Sequence, residues 1–134
     1  VIVVDTNILA YRFIAGARNE DADRLAEVEP KWAAPLLWRS ELRNVLCGYL
    51  RRGQISRVLA EVLLNEAHLA LTAGEHVVDD SLVFDLVQKS RCTSYDCEFV
   101  TLALMLDVPL VTEDSDLLKA FPAHCRTLTQ TLAS

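Results

Sequence analysis

The four cysteines, Cys47, Cys92, Cys97 and Cys125, include no C-x-x-C pair, which excludes the usual spacing of a structural zinc site. Their spacings do not resemble a disulfide scaffold either. Buried, reduced thiols in a cytosolic protein are the expectation. No apolar run approaches the ~18 residues needed to cross a bilayer, and no signal-peptide pattern is seen. Neither a membrane partner nor secretion is expected, and the cytoplasm is. His68, His76 and His124 show no triad or metal-ligand spacing, so each reads as structural or surface. Repeats, linkers and low-complexity segments are missing as well. Positive charge is scarce: 13 Lys and Arg against 19 Asp and Glu leave a net charge of -6, with a pI near 5.0. That balance argues against a protein that holds nucleic acid by bulk attraction. It does not exclude nucleic acid, because a carboxylate site loses much of its charge once metal binds.

What is present fits one domain over residues 1–134. A chain of this size buries roughly two-thirds of its unfolded surface, and 51% apolar residues argue against disorder. Val1 to Val4 are continuously apolar and all β-branched, the pattern of a central parallel strand. Asp5-Thr6-Asn7 reads as a turn or cap before a short helix from Ile8 to Phe13. Asn19 to Glu29 has helical spacing and Pro30 closes it. Trp32-Ala33-Ala34 is a short strand candidate. Pro35 introduces a long helix to about Arg52, and Gly53 suits the position after its end. Ile55 to Leu71 predicts a second amphipathic helix with Val58, Leu59, Val62, Leu63 and Leu69 inward. The two helices form a hairpin around Arg51-Arg52-Gly53. His76-Val77-Val78 is a weak strand. Asp79 or Asp80 caps a helix to about Ser90, and Thr93-Ser94 starts another from Tyr95 to about Leu106. Val108 to Thr112 returns to strand, Ser115 to Phe121 is a short helix, and Arg126-Thr127-Leu128 suggests an edge strand. The alternation predicts a three-layer α/β/α sandwich around a mostly parallel sheet.

Four acids fall where strands end or helices begin: Asp5, Glu41, Asp96 and Asp114. Strand ends in such a sheet border the crevice where ligands bind. Carboxylates meeting there repel one another unless a cation lies between them, which points to a hard divalent metal and phosphoester chemistry. Each acid also has a plainer reading. Asp5 could simply cap a helix, and Asn7 likewise; Thr6 and Asn7 otherwise suit metal-bound water and phosphate oxygens. Glu41 shares a face with Leu37 and Val45 and needs a partner if buried, yet could sit exposed at the stripe's edge. Asp96 in a first helical turn could serve the helix dipole, as could Glu98, which reads as solvated. In Thr112-Glu113-Asp114-Ser115-Asp116, three acids in four residues exceed one cap; Asp114 is the first choice, Asp116 the reserve, and Glu113 reads as solvated. Ten of the thirteen basic residues are Arg. Arg39, Arg43, Arg51, Arg52 and Arg57 could contact phosphates or form a solvated face. Cys97 reads as a core thiol, and Trp32 and Trp38 as core anchors.

Together these pieces resemble the PIN domain family, and within it the small VapC-like toxin ribonucleases. The matching segments are Val3-Val4-Asp5-Thr6-Asn7-Ile8-Leu9, Ser40-Glu41-Leu42, Tyr95-Asp96 with Leu102-Ala103, and Leu110-Val111-Thr112-Glu113-Asp114. The resemblance implies a parallel sheet flanked by helices, with Asp5, Glu41, Asp96 and Asp114 as an acidic quartet holding Mg²⁺ or Mn²⁺. Asn7 and Thr112 would support it, and Asp116 matches an acid seen less regularly. It implies an endoribonuclease acting on RNA such as tRNA or rRNA, held off by an antitoxin protein, and a homodimer. Cys97 departs mildly from the pattern, standing where a small residue such as Ala is usual. Two other readings remain beside it. One is a catalytically silent protein-binding module that uses the helical hairpin of residues 37–71. The other is a haloacid-dehalogenase-like phosphatase, disfavoured because Asn7 stands where a second Asp is expected.

Overall fold

A computed structural model describes residues 1–14 and 19–134. Ile2–Val4 form β1, buried along its length. Val and Ile have stiff, branched side chains that suit a pleated surface covered on both faces. Helices α1 (Thr6–Phe13) and α2 (Asn19–Val28) lead to β2 (Trp32–Pro35). Helices α3 (Trp38–Arg51) and α4 (Arg57–Leu71) lead to β3 (Glu75–His76). Helices α5 (Asp80–Gln88) and α6 (Ser94–Leu106) precede β4 (Leu110–Val111). Helix α7 (Ser115–Ala120), β5 (Cys125–Arg126) and α8 (Leu128–Leu132) complete the chain.

The strands form one sheet in the order β3-β2-β1-β4-β5, and all four pairings are parallel. The register sets Val3 beside Ala33 and Leu110, and Val4 beside Val111. Successive strands run from β1 to β3 on one side, then return to β4 on the other. Right-handed crossovers therefore put α1 to α4 on one face and α5 and α6 on the other. Contacts agree: α1 packs on α2, α3 and α4, whereas α6 lies on β1, β2, β4 and α5. The reversal makes the β1–β4 crevice the topological switch point, the place where parallel sheets bind ligands. Among the described residues no helix is long and apolar enough to cross a membrane.

Three expectations need correction. The first concerns the face of α4. Val58, Leu59, Val62 and Leu69 are 71%, 42%, 46% and 73% exposed, while Ala60, Ala67 and Leu71 are buried. Helix α4 has a polar stripe of Arg57, Glu61, Asn65 and His68, but apolar residues flank it on both sides, so periodicity does not choose between the two flanks of that stripe. The small Ala60 and Ala67 let it approach α1, α3 and β2 closely. The second concerns the last strand, which is Cys125–Arg126. Thr127 instead opens α8 with a capping box: it accepts from Gln130 N while Gln130 accepts from Thr127 N. The third concerns β3, which is Glu75–His76, leaving Val77 76% exposed beyond it. Gly53 behaves as read: it follows α3 with φ +68°, where a side chain would be strained.

Candidate active site

Asp5 follows β1 and caps α1, its Oδ1 accepting from Ile8 N at 3.1 Å. Its Oδ2 accepts from the hydroxyl of Thr112, just beyond β4. Thr112 is fully buried, and its Oγ1 also accepts from Asp114 N at 3.0 Å. One threonine thus ties the ends of the two central strands together. Asp5 is only 7% exposed. Burial pushes its carboxyl up from 3.8 to about 6; the Thr112 and Ile8 hydrogen bonds oppose this, and the charges of Asp114 and Asp96 add to it.

The other acids converge on the same crevice. Glu41, in the first turn of α3, accepts from Thr6 Oγ1 at 2.7 Å. Its carboxyl is raised by burial, against the Thr6 bond, and raised further by Asp96. Asp96 lies in the first turn of α6, capped by Thr93, whose hydroxyl accepts from Asp96 N at 3.1 Å. Burial raises its carboxyl, and the charges of Asp114 and Asp116 raise it more. Asp114 caps α7, with Oδ1 accepting from Asp116 N at 2.9 Å and Leu117 N at 3.1 Å. Asp5, Asn7, Glu41, Asp96 and Asp114 line one cavity of about 370 Å³ together with Thr6, Leu37, Ser40, Asn44, Val45, Tyr95 and Phe99. Capping and site-lining are therefore not alternatives for Asp5 and Asp114; each does both.

Asp116 is exposed and lies off this cavity, in an adjoining cleft with Arg91, Cys92 and Lys119. It acts on the crevice through its charge on Asp96. Ser40 was named only within the Ser40-Glu41-Leu42 segment and Asn44 was not singled out, though Asn44 stands three positions after Glu41 and so one turn away on the same face. Two acids read as solvated are not. Glu113 accepts from Leu128 N at 3.1 Å and so holds α8. Glu98 is half-buried, and burial with the charges of Glu41 and Asp80 raises its carboxyl.

The remaining readings resolve simply. Arg39 is bound to Glu75 and Arg57 to Glu61. Arg52 lies over the Tyr49 ring and donates to Gln54. Arg43 and Arg51 are exposed. The four cysteines are free thiols. Cys97 is buried against Ser90 Oγ at 3.9 Å and, like Cys125, whose thiol is pushed up to about 12, stays protonated. Trp32 and Trp38 are buried.

Among the described residues, no three acids, thiols or imidazoles close into a ready-made cage for one ion. The donor set still suits Mg²⁺ or Mn²⁺. Mg²⁺ keeps several waters and takes one or two carboxylates plus substrate oxygens instead of a full protein cage. Three carboxyls in this crevice are raised by burial, and each is raised further by a neighbouring acid. A hard cation reverses that penalty.

The model of the PIN domain family matches residues 2–122. The chain belongs to the PIN domain family. Ribonuclease VapC3 of Pyrobaculum aerophilum is 29% identical to it over 127 residues, covering 91% of this chain and 95% of that protein. The crystal structure of PAE2754 from the same organism matches with a TM-score of 0.78 at 20% identity, over 98% of this chain and 93% of the other. A toxin–antitoxin complex from Klebsiella pneumoniae matches with a TM-score of 0.68 at 20% identity, over 96% and 98%. At those identities the structural likenesses establish the PIN fold. They match nearly the whole length of both chains, and the fold they share is the α/β sandwich expected from sequence.

Proposed function

We propose that this PIN domain, a single domain over residues 1–134, is a metal-dependent endoribonuclease, the toxin of a type II toxin–antitoxin pair. The observation that carries the reading is the crowding of Asp5, Glu41, Asp96 and Asp114 around one crevice, three of them raised by burial. The likeness to a VapC ribonuclease over nearly its whole length supports the choice of RNA. Asp5, Glu41 and Asp96 would hold Mg²⁺ or Mn²⁺, with Asp114 completing the set. When bound, that cation stabilises charge on the phosphoryl oxygens and acidifies a water for in-line attack on phosphorus.

The chain's own groups do the rest. Thr112 fixes the Asp5 carboxylate and the start of α7 with a single hydroxyl. Thr6 fixes Glu41. Asp114 uses Oδ1 for its cap, which leaves Oδ2 to complete a metal position or to orient the attacking water. Asn7 and Asn44 offer amide donors to phosphate oxygens, and the exposed Tyr95 offers a ring for an unpaired base. The products carry 5′-phosphate and 3′-hydroxyl ends, and tRNA or rRNA is the substrate class. An antitoxin and a second copy of the chain both need apolar surface, and Val58, Val62 and Leu69 on α4 and Phe84 on α5 are exposed. The setting is the cytoplasm.

Purified, antitoxin-free protein incubated with a tRNA or total-RNA pool tests the reading, with Mg²⁺, Mn²⁺ and EDTA compared. Cutting that requires metal and is lost in Asp96→Asn is the expected result. Cutting that survives in EDTA, or in Asp96→Asn, would overturn it.

A further inference from the structure

The first turn of α3 carries Glu41, yet it has no capping side chain: Leu37 precedes the helix with φ -52° and ψ -28° and makes no side-chain cap bond. Backbone bonds set the turn itself, Arg39 N donating to Leu36 O and Glu41 N to Leu37 O, both at 3.1 Å, and side chains then tie it to the sheet. Its first two residues both reach the same carboxylate on the neighbouring strand β3. Arg39 grips Glu75 with two parallel bonds, Nε to Oε2 at 2.5 Å and Nη2 to Oε1 at 2.6 Å. Trp38 donates its indole N–H to Glu75 Oε2 at 2.8 Å. The Trp38 ring is fully buried, with the His68 ring of α4 5.0 Å away. Glu41 lies three residues after Trp38, so the two share a helix face.

Glu75 itself starts from a pinned backbone. Ala34 of β2 donates to Gly74 O at 2.9 Å, and a Cβ on Gly74 would fall 1.9 Å from Trp32 O. The strand that presents Glu75 therefore sits closer to β2 than any side-chain-bearing residue permits. Arg39 also holds the Glu75 carboxyl below its usual range, so it stays charged at neutral pH.

We infer that Glu75 is a positioning residue for the acidic site: through Trp38 and Arg39 it ties the first turn of α3 to the sheet, and so aims Glu41 at the crevice from outside it. The inference rests on the metal-site reading above. It predicts that a residue lining neither the acidic cavity nor its rim controls metal affinity through one carboxylate.

A mutant cycle tests it. Mn²⁺ affinity is measured by titration of the purified protein for the native chain, Glu75→Gln, Glu41→Gln and the double variant. Glu75→Gln should weaken Mn²⁺ binding about 10-fold, in the range typical for partners that orient metal ligands, and should add nothing in the Glu41→Gln background. Equal affinity, or the same loss in both backgrounds, overturns the inference. Arg39→Lys, which keeps the charge without the forked geometry, should weaken binding by a smaller factor, and guards against a Glu75→Gln protein that fails to fold. Amide hydrogen exchange without metal supplies the second arm. Glu75→Gln should speed exchange at residues 38–42 and leave Asp96 and its neighbours on α6 unchanged; uniform or absent change overturns the inference. A native chain that binds no Mn²⁺ would sink the metal reading instead, and the exchange arm would still judge the role of Glu75.

Discussion

The two ends of the sheet carry cavities that differ in their acids: four line one, and none lines the other. At the carboxyl ends lies a crevice of about 370 Å³ bordered by four carboxylates and the hydroxyl of Thr6. On the amino side lies a larger one, about 580 Å³, bounded by apolar residues such as Val1, Trp32, Leu106 and Val108 together with Lys31 and His76. Volume therefore does not choose the site. What differs is the cost of what is buried. Burying Val or Leu is favourable wherever it occurs, whereas burying Asp5 opposes its ionisation. A fold tolerates such a cost where function needs it, and the switch point between β1 and β4 is where a parallel sheet leaves room for a ligand.

Removing charge from the carboxyl end is the strongest way to sharpen this contrast. Asp96→Asn or Glu41→Gln should each lower metal-dependent RNA cleavage by at least about 100-fold, the upper end of what partners of metal ligands cost. Neither should lower the melting temperature, because each relieves repulsion within the crowded set. Parallel loss of activity and stability would make these acids structural and erase the difference between the two ends.

The second effect is a pH dependence confined to the carboxyl end. The Asp5 carboxyl moves from an ordinary 3.8 to about 6 in the folded chain, chiefly through burial. The folded state then binds its proton more tightly than the unfolded state does. Stability in EDTA should be greatest below about 4, fall as pH rises to about 6, and be level above that. The total change is on the order of 3 kcal/mol. Asp5→Asn removes this titration and should flatten that part of the curve; its single carbonyl oxygen can accept from Thr112 or from Ile8 N but not from both, so one lost hydrogen bond offsets part of the gain at pH 7. Denaturant unfolding at a series of pH values checks this; a native curve that rises between pH 4 and 6 would contradict it.

Much of this was legible in the sequence, because position in the chain fixes chemistry at strand ends. A β-branched run followed by Asp5, and Leu110-Val111 followed by Thr112 to Asp114, can only deliver those polar groups to the rim of a buried parallel sheet. Asp96 was legible as an acid in a first helical turn, and Glu41 as an acid on the face of Leu37 and Val45; the helix begins at Trp38 and not just after Pro35, which puts Glu41 in its first turn too. Long-range packing was not legible. The inward face of α4 was decided by two alanines, since its apolar residues flank the polar stripe on both sides and pattern alone does not choose between them. The bond from Leu128 N to Glu113 spans fifteen positions and leaves no local signal. Neither does the grip of Glu75 on Trp38 and Arg39, thirty-seven and thirty-six positions away. The capping box at Thr127 was readable, since Gln130 stands three residues on, but a β-branched residue between Arg126 and Leu128 favoured the strand.

A third test acts on Thr112, the joint between β1 and β4. Thr112→Val keeps the shape, removes the hydroxyl and leaves Asp5 Oδ2 and Asp114 N without that partner. The stability cost should be about 1–3 kcal/mol, that of stranded buried polar groups. Cleavage should fall about 10-fold. The Asp5 midpoint should also move up from about 6, since the Thr112 bond lowers it in the native chain. An unmoved midpoint would mean that the hydroxyl is incidental.

The smallest effect belongs to the amino side, and it decides whether the two ends are independent. Leu106 closes α6 and lines the amino-side cavity, while Asp96 opens the same helix and lines the acidic one. Ten residues of helix separate them, about 15 Å along the axis. Leu106 is half-buried, so Leu106→Ala should cost about 1–2 kcal/mol, less than the ~2–5 kcal/mol of a fully buried site. If each end answers only to its own neighbours, cleavage per folded molecule and Mn²⁺ affinity should be unchanged, because the β1, β2 and β4 contacts of α6 hold Asp96 in place. If both fall with stability, then α6 transmits packing at the amino side to the acids. The amino-side cavity would then belong to the same working unit as the acidic site.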